Sequence, residues 1–332
     1  MAEAFAIGGY FDASEHGDAS ERLDGLVALV EQQQTDMDCD RTMSVCIQAL
    51  QTMGKLKPAK LAQYADFVVA RLEDSFGPNR TAALTLLRKL KPVTLAQYAD
   101  SVVARLEDSA WPVRQWALVV LRKLRKLGPA TLAQHAVAVL ARLEDSSWDV
   151  RQETLQTLGQ LEQATLARYS NAVITRLEDP AEHVRQGALE TLGKLEPATL
   201  AQHVNAIVTR LEDSAEGVRE EALRTLRKLE PATLAQHATA VVTRLEDSAE
   251  GVRGRALDLL RGLPRYVTRE YRVDIFDPRP VRSRLLGRLA WYKFRLRLRV
   301  QRLALYWYAL PYRPSGPGHA RDVEAWDRMV EG

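Results

Sequence analysis

The sequence has few of the features that mark secreted, membrane-spanning or disulfide-stabilised proteins. Two of its 332 residues are cysteines, Cys39 and Cys46, and they lie too close together to cross-link a chain of this length. No run approaches the roughly 18 apolar residues of a membrane-spanning helix, and the N-terminus lacks a basic stretch followed by an apolar core. These absences predict an intracellular, cytoplasmic protein.

Sequence motifs that support catalysis are also missing. The chain contains no glycine-rich phosphate loop, no nucleophile elbow and no Cys-His pair at a catalytic spacing. We therefore predict no enzymatic activity, no metal, no cofactor and no small-molecule substrate.

The tetrapeptide RLED marks an internal repeat. It occurs six times, at successive spacings of 34, 37, 34, 34 and 34 residues. The copies begin at Arg71, Arg105, Arg142, Arg176, Arg210 and Arg244. A degenerate seventh copy is placed by Asp40, which precedes Asp74 by 34 residues. A fixed period of this length predicts an array of similar units, which we number repeats 1 to 7 along the chain.

Each repeat has the pattern of two amphipathic helices. In repeat 6, apolar residues recur at helical spacing over residues 197–211, and a second such stripe follows a short turn over residues 218–229. Asp213 and Glu216 have the spacing of a capping box for the second helix. A helical pair of this size cannot bury its apolar faces alone, so the pattern predicts that neighbouring repeats stack into a solenoid.

The second helix carries the pattern D-x-x-x-x-V-R-x-x-A-L-x-x-L. It is complete in repeats 5, 6 and 7, where it begins at Asp179, Asp213 and Asp247. This pattern resembles the HEAT repeat, particularly the short form of phycobilisome-lyase-like HEAT proteins, over roughly residues 21 to 263. The resemblance implies that the turn aspartate caps the second helix and that the arginine pairs with an aspartate of its own or the adjacent repeat. The residues with these structural roles are Asp179, Arg185, Asp213, Arg219, Asp247 and Arg253.

The resemblance includes two kinds of enzyme, and the sequence supports neither. HEAT-like deoxyhypusine hydroxylases hold iron through His-Glu steps, and this chain has no His-Glu dipeptide. For the bilin lyases, no lyase-specific residue can be carried over onto a position of this chain. One position of the first helix holds histidine or tyrosine, which indicates a packing site with a polar tip rather than a metal ligand. Its occupants are Tyr64, Tyr98, His135, Tyr169, His203 and His237.

Tryptophan residues distinguish the middle repeats from the later ones. The third position after the turn aspartate is Trp111 in repeat 3 and Trp148 in repeat 4, but it is glutamate in repeats 5 to 7. Trp116 lies five residues beyond Trp111. Aromatic rings in register on stacked repeats either form a protein-binding hot spot or fill the groove between neighbouring turns. We take these three tryptophans as candidate partner-binding residues.

The repeat pattern stops after residue 263, and the composition changes. Residues 279–313 contain ten basic residues, no acidic residue and seven aromatic residues. As a helix, this segment would place arginines on one side and apolar residues on the other. It would then cap the last repeat, or attach the protein to nucleic acid or to an anionic membrane. The candidate residues for an anionic surface are Arg284, Arg288, Arg295, Arg299 and Arg302.

Together these patterns predict an all-α protein, a right-handed α-solenoid of about seven HEAT-like helical pairs with a basic C-terminal helical extension. The predicted regions are an N-terminal tail (1–20), the repeat solenoid (21–263) and a basic, aromatic-rich extension (264–332). We predict a non-enzymatic scaffold or adaptor whose solenoid surface binds another protein. The alternatives are an enzyme subunit of the bilin-lyase kind, or attachment to nucleic acid or an anionic membrane through residues 279–313.

Overall fold

A computed structural model describes residues 19–33 and 39–263 of the chain, and every regular element within these ranges is helical. None of the helices described there is long and apolar enough to cross a bilayer. The predicted extension (264–332), with its five candidate arginines, lies outside the described residues, as do residues 1–18 of the predicted tail. The region boundaries at these two ends therefore stay predictions.

Each repeat ends in a long second helix. Repeat 1 begins with the helix Ala19–Gln33. The second helices of repeats 1 to 7 are Cys39–Met53, Gly77–Leu87, Trp111–Arg122, Trp148–Leu158, Glu182–Leu192, Glu216–Leu226 and Glu250–Arg261.

The first half of repeats 2 to 7 consists of two short helices rather than the single helix that the sequence predicts. In repeat 6 these are Pro197–Ala201 and Val204–Thr209, followed by the 3₁₀ turn Arg210–Glu212. The short helices of the other repeats are Pro58–Leu61 and Ala65–Ala70, Pro92–Ala96 and Ala99–Ala104, Pro129–Ala133 and Ala136–Ala141, Gln163–Arg168 and Ser170–Thr175, and Pro231–Gln236 and Ala238–Thr243. The other 3₁₀ turns are Ala62–Tyr64, Arg71–Glu73, Arg105–Glu107, Lys123–Leu127, Arg142–Glu144, Arg176–Glu178 and Arg244–Glu246.

The break between the two short helices falls on the histidine or tyrosine position. His203 has φ −110° and ψ 8°, outside the α-helical range. Its amide donates to the carbonyl oxygen of Leu200 at 3.0 Å, a spacing of three residues that tightens the helix before it restarts. Because the apolar residues on both sides keep their helical spacing, the interruption leaves the buried face intact.

Proline and glycine set the boundaries between repeats. Pro197 begins its helix directly after Glu196, which is extended, and the fixed φ and missing amide of proline suit a first helical turn. The three extra residues of repeat 3 lengthen its last turn and end at Gly128, whose φ of 142° favours glycine.

The described chain divides into two compact halves, with the division between Tyr169 and Ser170. Within each half, the second helices of consecutive repeats pack on one another, and the short helices pack on the second helix of their own repeat. The core of repeat 6 shows the result, since eight apolar side chains are at most 7% exposed. They are Leu200, Val204, Ile207, Leu211, Val218, Ala222, Leu223 and Leu226. The predicted all-α stack of helical pairs is confirmed.

Candidate functional site

An arginine–aspartate pair joins each of several repeats to its successor. Arg185 of repeat 5 donates from Nε and Nη2 to the two carboxylate oxygens of Asp213 in repeat 6, each at 2.7 Å. Its Nη1 donates to the backbone oxygens of Asp179 at 2.9 Å and Pro180 at 3.1 Å in its own repeat. One guanidinium therefore holds two consecutive turns together.

The same geometry recurs in both halves of the chain. The pairs at 2.6–2.7 Å are Arg80–Asp108, Arg114–Asp145, Arg185–Asp213 and Arg219–Asp247, and they form a series that we call the ladder. In these pairs the arginine side chains are 10–12% exposed and the aspartates 3–4%. Burial alone would raise the pKa of Asp213, but the hydrogen bonds from Arg185 and from the Ala215 amide lower it below its ordinary value. These carboxylates are therefore ionised at neutral pH.

The turn aspartate does not cap the second helix in the predicted way. Asp213 Oδ1 accepts the amide of Ala215 at 2.9 Å, and Ala215 is the N-cap residue. No side chain caps the helix Glu216–Leu226, so the predicted capping box of Asp213 and Glu216 is wrong. The physical reason is that the carboxylate lies two residues before the N-cap, where it closes the turn and binds the arginine of the preceding repeat.

The arginine of RLED forms a second link between repeats. Arg210 donates from Nη1 to the carbonyl oxygen of Leu177 at 2.9 Å, and Arg244 donates to that of Leu211 at 2.9 Å. Arg142 contacts Leu106 at 2.9 Å in the same way. This role was not predicted from the sequence, although the arginine is present in all six copies of RLED.

Two open clefts of about 410 Å³ lie between consecutive turns, one in each half. In the cleft of repeats 5 and 6, four of the charged groups form two pairs, since Arg210 Nη2 lies 2.8 Å from Glu178 Oε1 and Arg185 binds Asp213. In the described ranges, no group of three or more His, Cys, Asp or Glu residues could hold a metal ion. The absence of a metal and a cofactor in the protein stays a prediction.

The histidine and tyrosine position makes contacts between repeats. Tyr98 Oη donates to Asp66 of the preceding repeat at 2.7 Å, and this hydrogen bond raises the pKa of Tyr98. His203 Nε2 lies 3.1 Å from Ser170 Oγ, and burial lowers the pKa of His203. These contacts match a packing position with a polar tip.

Two of the predicted tryptophans lie exposed at the start of their second helices. Trp111 is 45% exposed and Trp148 is 41% exposed, and each is the first residue of its helix. Phe76, which directly precedes the second helix of repeat 2, is 36% exposed and was not predicted. We call these three residues the aromatic edge. The large exposed apolar side chains found in the described ranges all belong to the N-terminal half: Leu29, Phe76, Val93, Trp111, Leu127, Val137 and Trp148.

Trp116 does not lie with the other two tryptophans. It is half-buried, and the guanidinium carbon of Arg88 lies 5.3 Å from the centre of its ring. Five positions along a helix correspond to a rotation of about 140° beyond a full turn, which separates Trp116 from Trp111. The structure therefore places Trp116 in a cation–π contact between repeats 2 and 3.

Exposed carboxylates accompany the aromatic edge. The glutamate of RLED, four residues before the tryptophan, is exposed as Glu107 in repeat 3 and as Glu144 in repeat 4. Glu73 is also exposed in repeat 2. In repeats 5 to 7 the position of the tryptophan is itself an exposed glutamate, at Glu182, Glu216 and Glu250.

Comparisons with known proteins agree with this architecture. A family model described as sister chromatid cohesion protein PDS5 matches residues 84–261, which are 178 of the 332 residues. No curated protein matches the chain significantly. Solved structures that resemble the chain include an engineered protein, with 13% identity, 83% of this chain and 79% of that chain covered, and a TM-score of 0.54.

Two further structures are similar to the chain. A homology model of the full-length AP-3 complex in an intermediate open conformation has 18% identity and a TM-score of 0.59, over 77% of this chain and 48% of that chain. The complex of CpcE and CpcF of phycocyanin lyase from Nostoc has 19% identity and a TM-score of 0.39, over 49% of this chain and 98% of that chain. At these identities, the two likenesses with TM-scores of 0.54 and 0.59 show the fold alone. On the match to the family model, the chain belongs to the PDS5 family of HEAT-repeat-like proteins.

Proposed function

We propose that the protein is a non-enzymatic scaffold that binds another protein through the aromatic edge. The observation that carries this proposal is the exposure of Phe76, Trp111 and Trp148 at the same edge of three consecutive repeats. Tryptophan is enriched at binding hot spots because it buries a large apolar area at a small cost in side-chain entropy. Three such side chains at successive turns supply an extended surface rather than a pocket.

The chemistry of the edge indicates the kind of partner. Two exposed glutamates, Glu107 and Glu144, each lie four residues before a tryptophan of the edge, across the turn between the helices. A partner surface that combines apolar side chains with lysine or arginine complements both features. Charge pairs at the rim would mainly speed association, whereas burial of the rings would supply most of the affinity.

The clefts between turns do not favour the bilin-lyase alternative. The arginines of the clefts are paired: Arg210 binds Glu178 and Arg185 binds Asp213 in one cleft, and Arg114 binds Asp145 in the other. A lyase site would need groups that face a substrate, whereas these arginines hold consecutive repeats together.

The test is the double substitution Trp111→Glu with Trp148→Glu. Repeats 5 to 7 carry glutamate at this position and begin their second helices with it, so the fold accommodates the change. We expect loss of at least tenfold in affinity for the partner, because one hot-spot tryptophan contributes about 2 kcal/mol or more. The measurement is affinity capture from a lysate of the source organism, followed by titration of the captured protein.

The matched control is Val93→Ala with Val137→Asn. These valines are 68% and 71% exposed and lie outside the aromatic edge, and the new residues are those of repeat 6 at the same positions. A partner that is retained by the wild type and the control but lost by the tryptophan variant supports the proposal. A partner that binds all three proteins equally would show that binding uses another surface.

A further inference from the structure

Every charged residue in the loops at the ends of repeats 1 to 3 is basic. These loops follow the second helices and comprise residues 54–57, 88–91 and 123–128. Their eight basic residues are Lys55, Lys57, Arg88, Lys89, Lys91, Lys123, Arg125 and Lys126. The corresponding loops of repeats 4 to 6, at 159–162, 193–196 and 227–230, contain three basic and three acidic residues. The charge of this part of the repeat therefore changes along the chain.

Two lysines connect the three basic loops. Lys89 Nζ of repeat 2 donates to the carbonyl oxygen of Gly54 in repeat 1. Lys123 Nζ of repeat 3 donates to the carbonyl oxygen of Arg88 in repeat 2 at 2.6 Å. Burial and the charges of Lys126 and Arg88 lower the pKa of Lys123, which agrees with their proximity. The loops of repeats 1 to 3 are thus neighbours, and we call their eight basic residues the basic edge.

Five other members of the basic edge have no such role in connecting the loops. Lys55, Lys57, Lys91, Arg125 and Lys126 are exposed. None of the five has a hydrogen bond or an ion pair with another residue of the described ranges 19–33 and 39–263. Their charged groups are therefore available to a ligand.

Helix stability gives no reason for lysine at two of these positions. Lys57 and Lys91 directly precede the first helix of the next repeat, where repeats 4 to 6 have Glu162, Glu196 and Glu230. The φ and ψ of Lys91, −64° and 146°, are close to the −59° and 145° of Glu196. A glutamate before a first helical turn interacts favourably with the helix dipole, and a lysine does not.

The basic edge and the aromatic edge lie at opposite ends of the second helices. Phe76 precedes the helix Gly77–Leu87, and Arg88 follows it. The 11 residues of this helix span about 16 Å. No aspartate or glutamate occurs in residues 75–99 or 109–143, which contain the loops of repeats 2 and 3. Neighbours in sequence therefore do not offset the positive charge of the basic edge.

A regular polyanion fits a row of basic loops. Packed second helices lie about 8–10 Å apart, so three successive loops extend over about 20 Å. A DNA duplex carries about one phosphate per 1.7 Å of its axis, which gives about twelve phosphates over this length. Lysine binds a phosphate as a point charge on a flexible stem, and such contacts do not depend on the base sequence.

Two other anionic ligands fit the basic edge less well. The three loops contain no aromatic residue on which the bases of a single strand could stack. In the loops of repeats 2 and 3, Leu90 and Leu124 are at most 1% exposed and Leu127 is 38% exposed. The surface thus offers charge with little apolar area for insertion into a bilayer.

We propose that the basic edge binds the phosphate backbone of duplex nucleic acid without reading its base sequence. Lys57, Lys91 and Lys126 contact the phosphates, whereas Lys89 and Lys123 fix the spacing of the loops. This site differs from residues 279–313, and it is independent of the proposed partner binding at the aromatic edge.

The test is Lys57→Glu with Lys91→Glu in the full-length protein. Binding of a labelled DNA duplex of about 20 base pairs is measured by fluorescence anisotropy at several salt concentrations. Later repeats carry glutamate at this position, so the variant should fold, which circular dichroism checks. Loss of two phosphate contacts should weaken binding at least about tenfold at about 0.1 M salt. It should also lower the slope of log affinity against log salt by about two.

The matched control is Arg168→Glu with Arg227→Glu, which makes the same change in net charge at exposed residues of repeats 5 and 6. Its affinity for the duplex should change by less than about twofold, because salt screens exposed charges beyond a Debye length. The variant Trp111→Glu with Trp148→Glu should also bind the duplex as the wild type does. A failure of the proposed partner binding is thereby distinguished from a failure of this inference.

Three results would overturn the inference. The first is no binding of the wild type at about 50 mM salt. The second is an equal loss of binding in the lysine variant and the Arg168, Arg227 control. The third is unchanged duplex binding in the lysine variant, which would place the contacts elsewhere, including residues 279–313.

Vesicles of phosphatidylcholine and phosphatidylserine distinguish a membrane from nucleic acid. If the lysine variant loses vesicle binding but keeps duplex binding, the basic edge binds a membrane and the inference is wrong. If the charge reversal prevents folding, Lys57→Gln with Lys91→Gln decides the matter. The inference requires this variant to lower the salt slope by about two, and an unchanged slope refutes it.

Discussion

Removal of one ladder carboxylate tests whether the ladder stabilises the repeats. In Asp213→Asn the amide oxygen still accepts the Ala215 amide, but Arg185 loses the opposite charge and one acceptor. Both side chains are largely buried, so water replaces the lost contacts only in part. Breaking one member of a buried, hydrogen-bonded ion pair costs about 2–4 kcal/mol of unfolding free energy.

The assay is urea unfolding followed by circular dichroism, at several pH values. The pKa of Asp213 is lower in the folded protein than in the unfolded chain, so the pair stabilises the fold above the unfolded pKa of about 3.9. This stabilisation is lost as the pH falls through the folded pKa. The difference between wild type and Asp213→Asn should therefore be full at pH 7 and shrink below about pH 4.

The matched control is Glu212→Gln, which removes the same charge from the neighbouring position. Glu212 is exposed, and its change should alter the unfolding free energy by less than about 0.5 kcal/mol. Equal stability of wild type and Asp213→Asn at pH 7 would refute the structural role of the ladder. A pH-independent difference between them would refute its electrostatic origin.

Two further predictions concern the first repeat and the modularity of the array. Cys46 lies at the repeat position where the ladder arginines lie in later repeats, and burial and the nearby Asp74 raise its pKa to about 11. Its thiol should therefore react with Ellman's reagent only when the protein unfolds. Fast reaction of this thiol in the native protein would contradict the buried environment. Deletion of residues 197–230, one whole repeat length, should leave a protein that circular dichroism shows to be folded and helical. The reason is that Asp247 then takes the place of Asp213 as the partner of Arg185. An unfolded deletion variant would contradict stacking between nearest neighbours.

The repeat architecture was predictable from the sequence because one period recurs six times and each copy has helical apolar spacing. The interruption of the first helix was not predictable in this way. The apolar stripe continues across His203 and its equivalents, so periodicity alone indicates one helix. The shared histidine or tyrosine position was the available signal, since these side chains bind the preceding repeat.

The exposed aromatic residues were predictable only where two repeats carry the same residue type at the same repeat position. Trp111 and Trp148 occupy the same repeat position, and both are exposed. In repeat 2 the position of the two tryptophans is occupied by Gly77, and Phe76 lies one residue before it. A comparison of equivalent repeat positions therefore did not identify Phe76. Trp116 was grouped with Trp111 by proximity in sequence, which on a helix does not place two residues on one side.

The first helical residue, which is Trp111 in repeat 3 and Trp148 in repeat 4, lies outside the ladder pairs that hold consecutive repeats together. Asp213 and its equivalents close the turn two residues before the N-cap, so the first helical residue makes no ladder contact. Repeat 2 has Gly77 there, and repeats 5 to 7 have glutamate. Glutamate in a first helical turn stabilises a helix by about 0.3–1 kcal/mol through the helix dipole, a contribution that tryptophan lacks. This contribution favours glutamate over tryptophan at the first helical position of repeats 3 and 4, and the presence of tryptophan there supports the proposed partner binding.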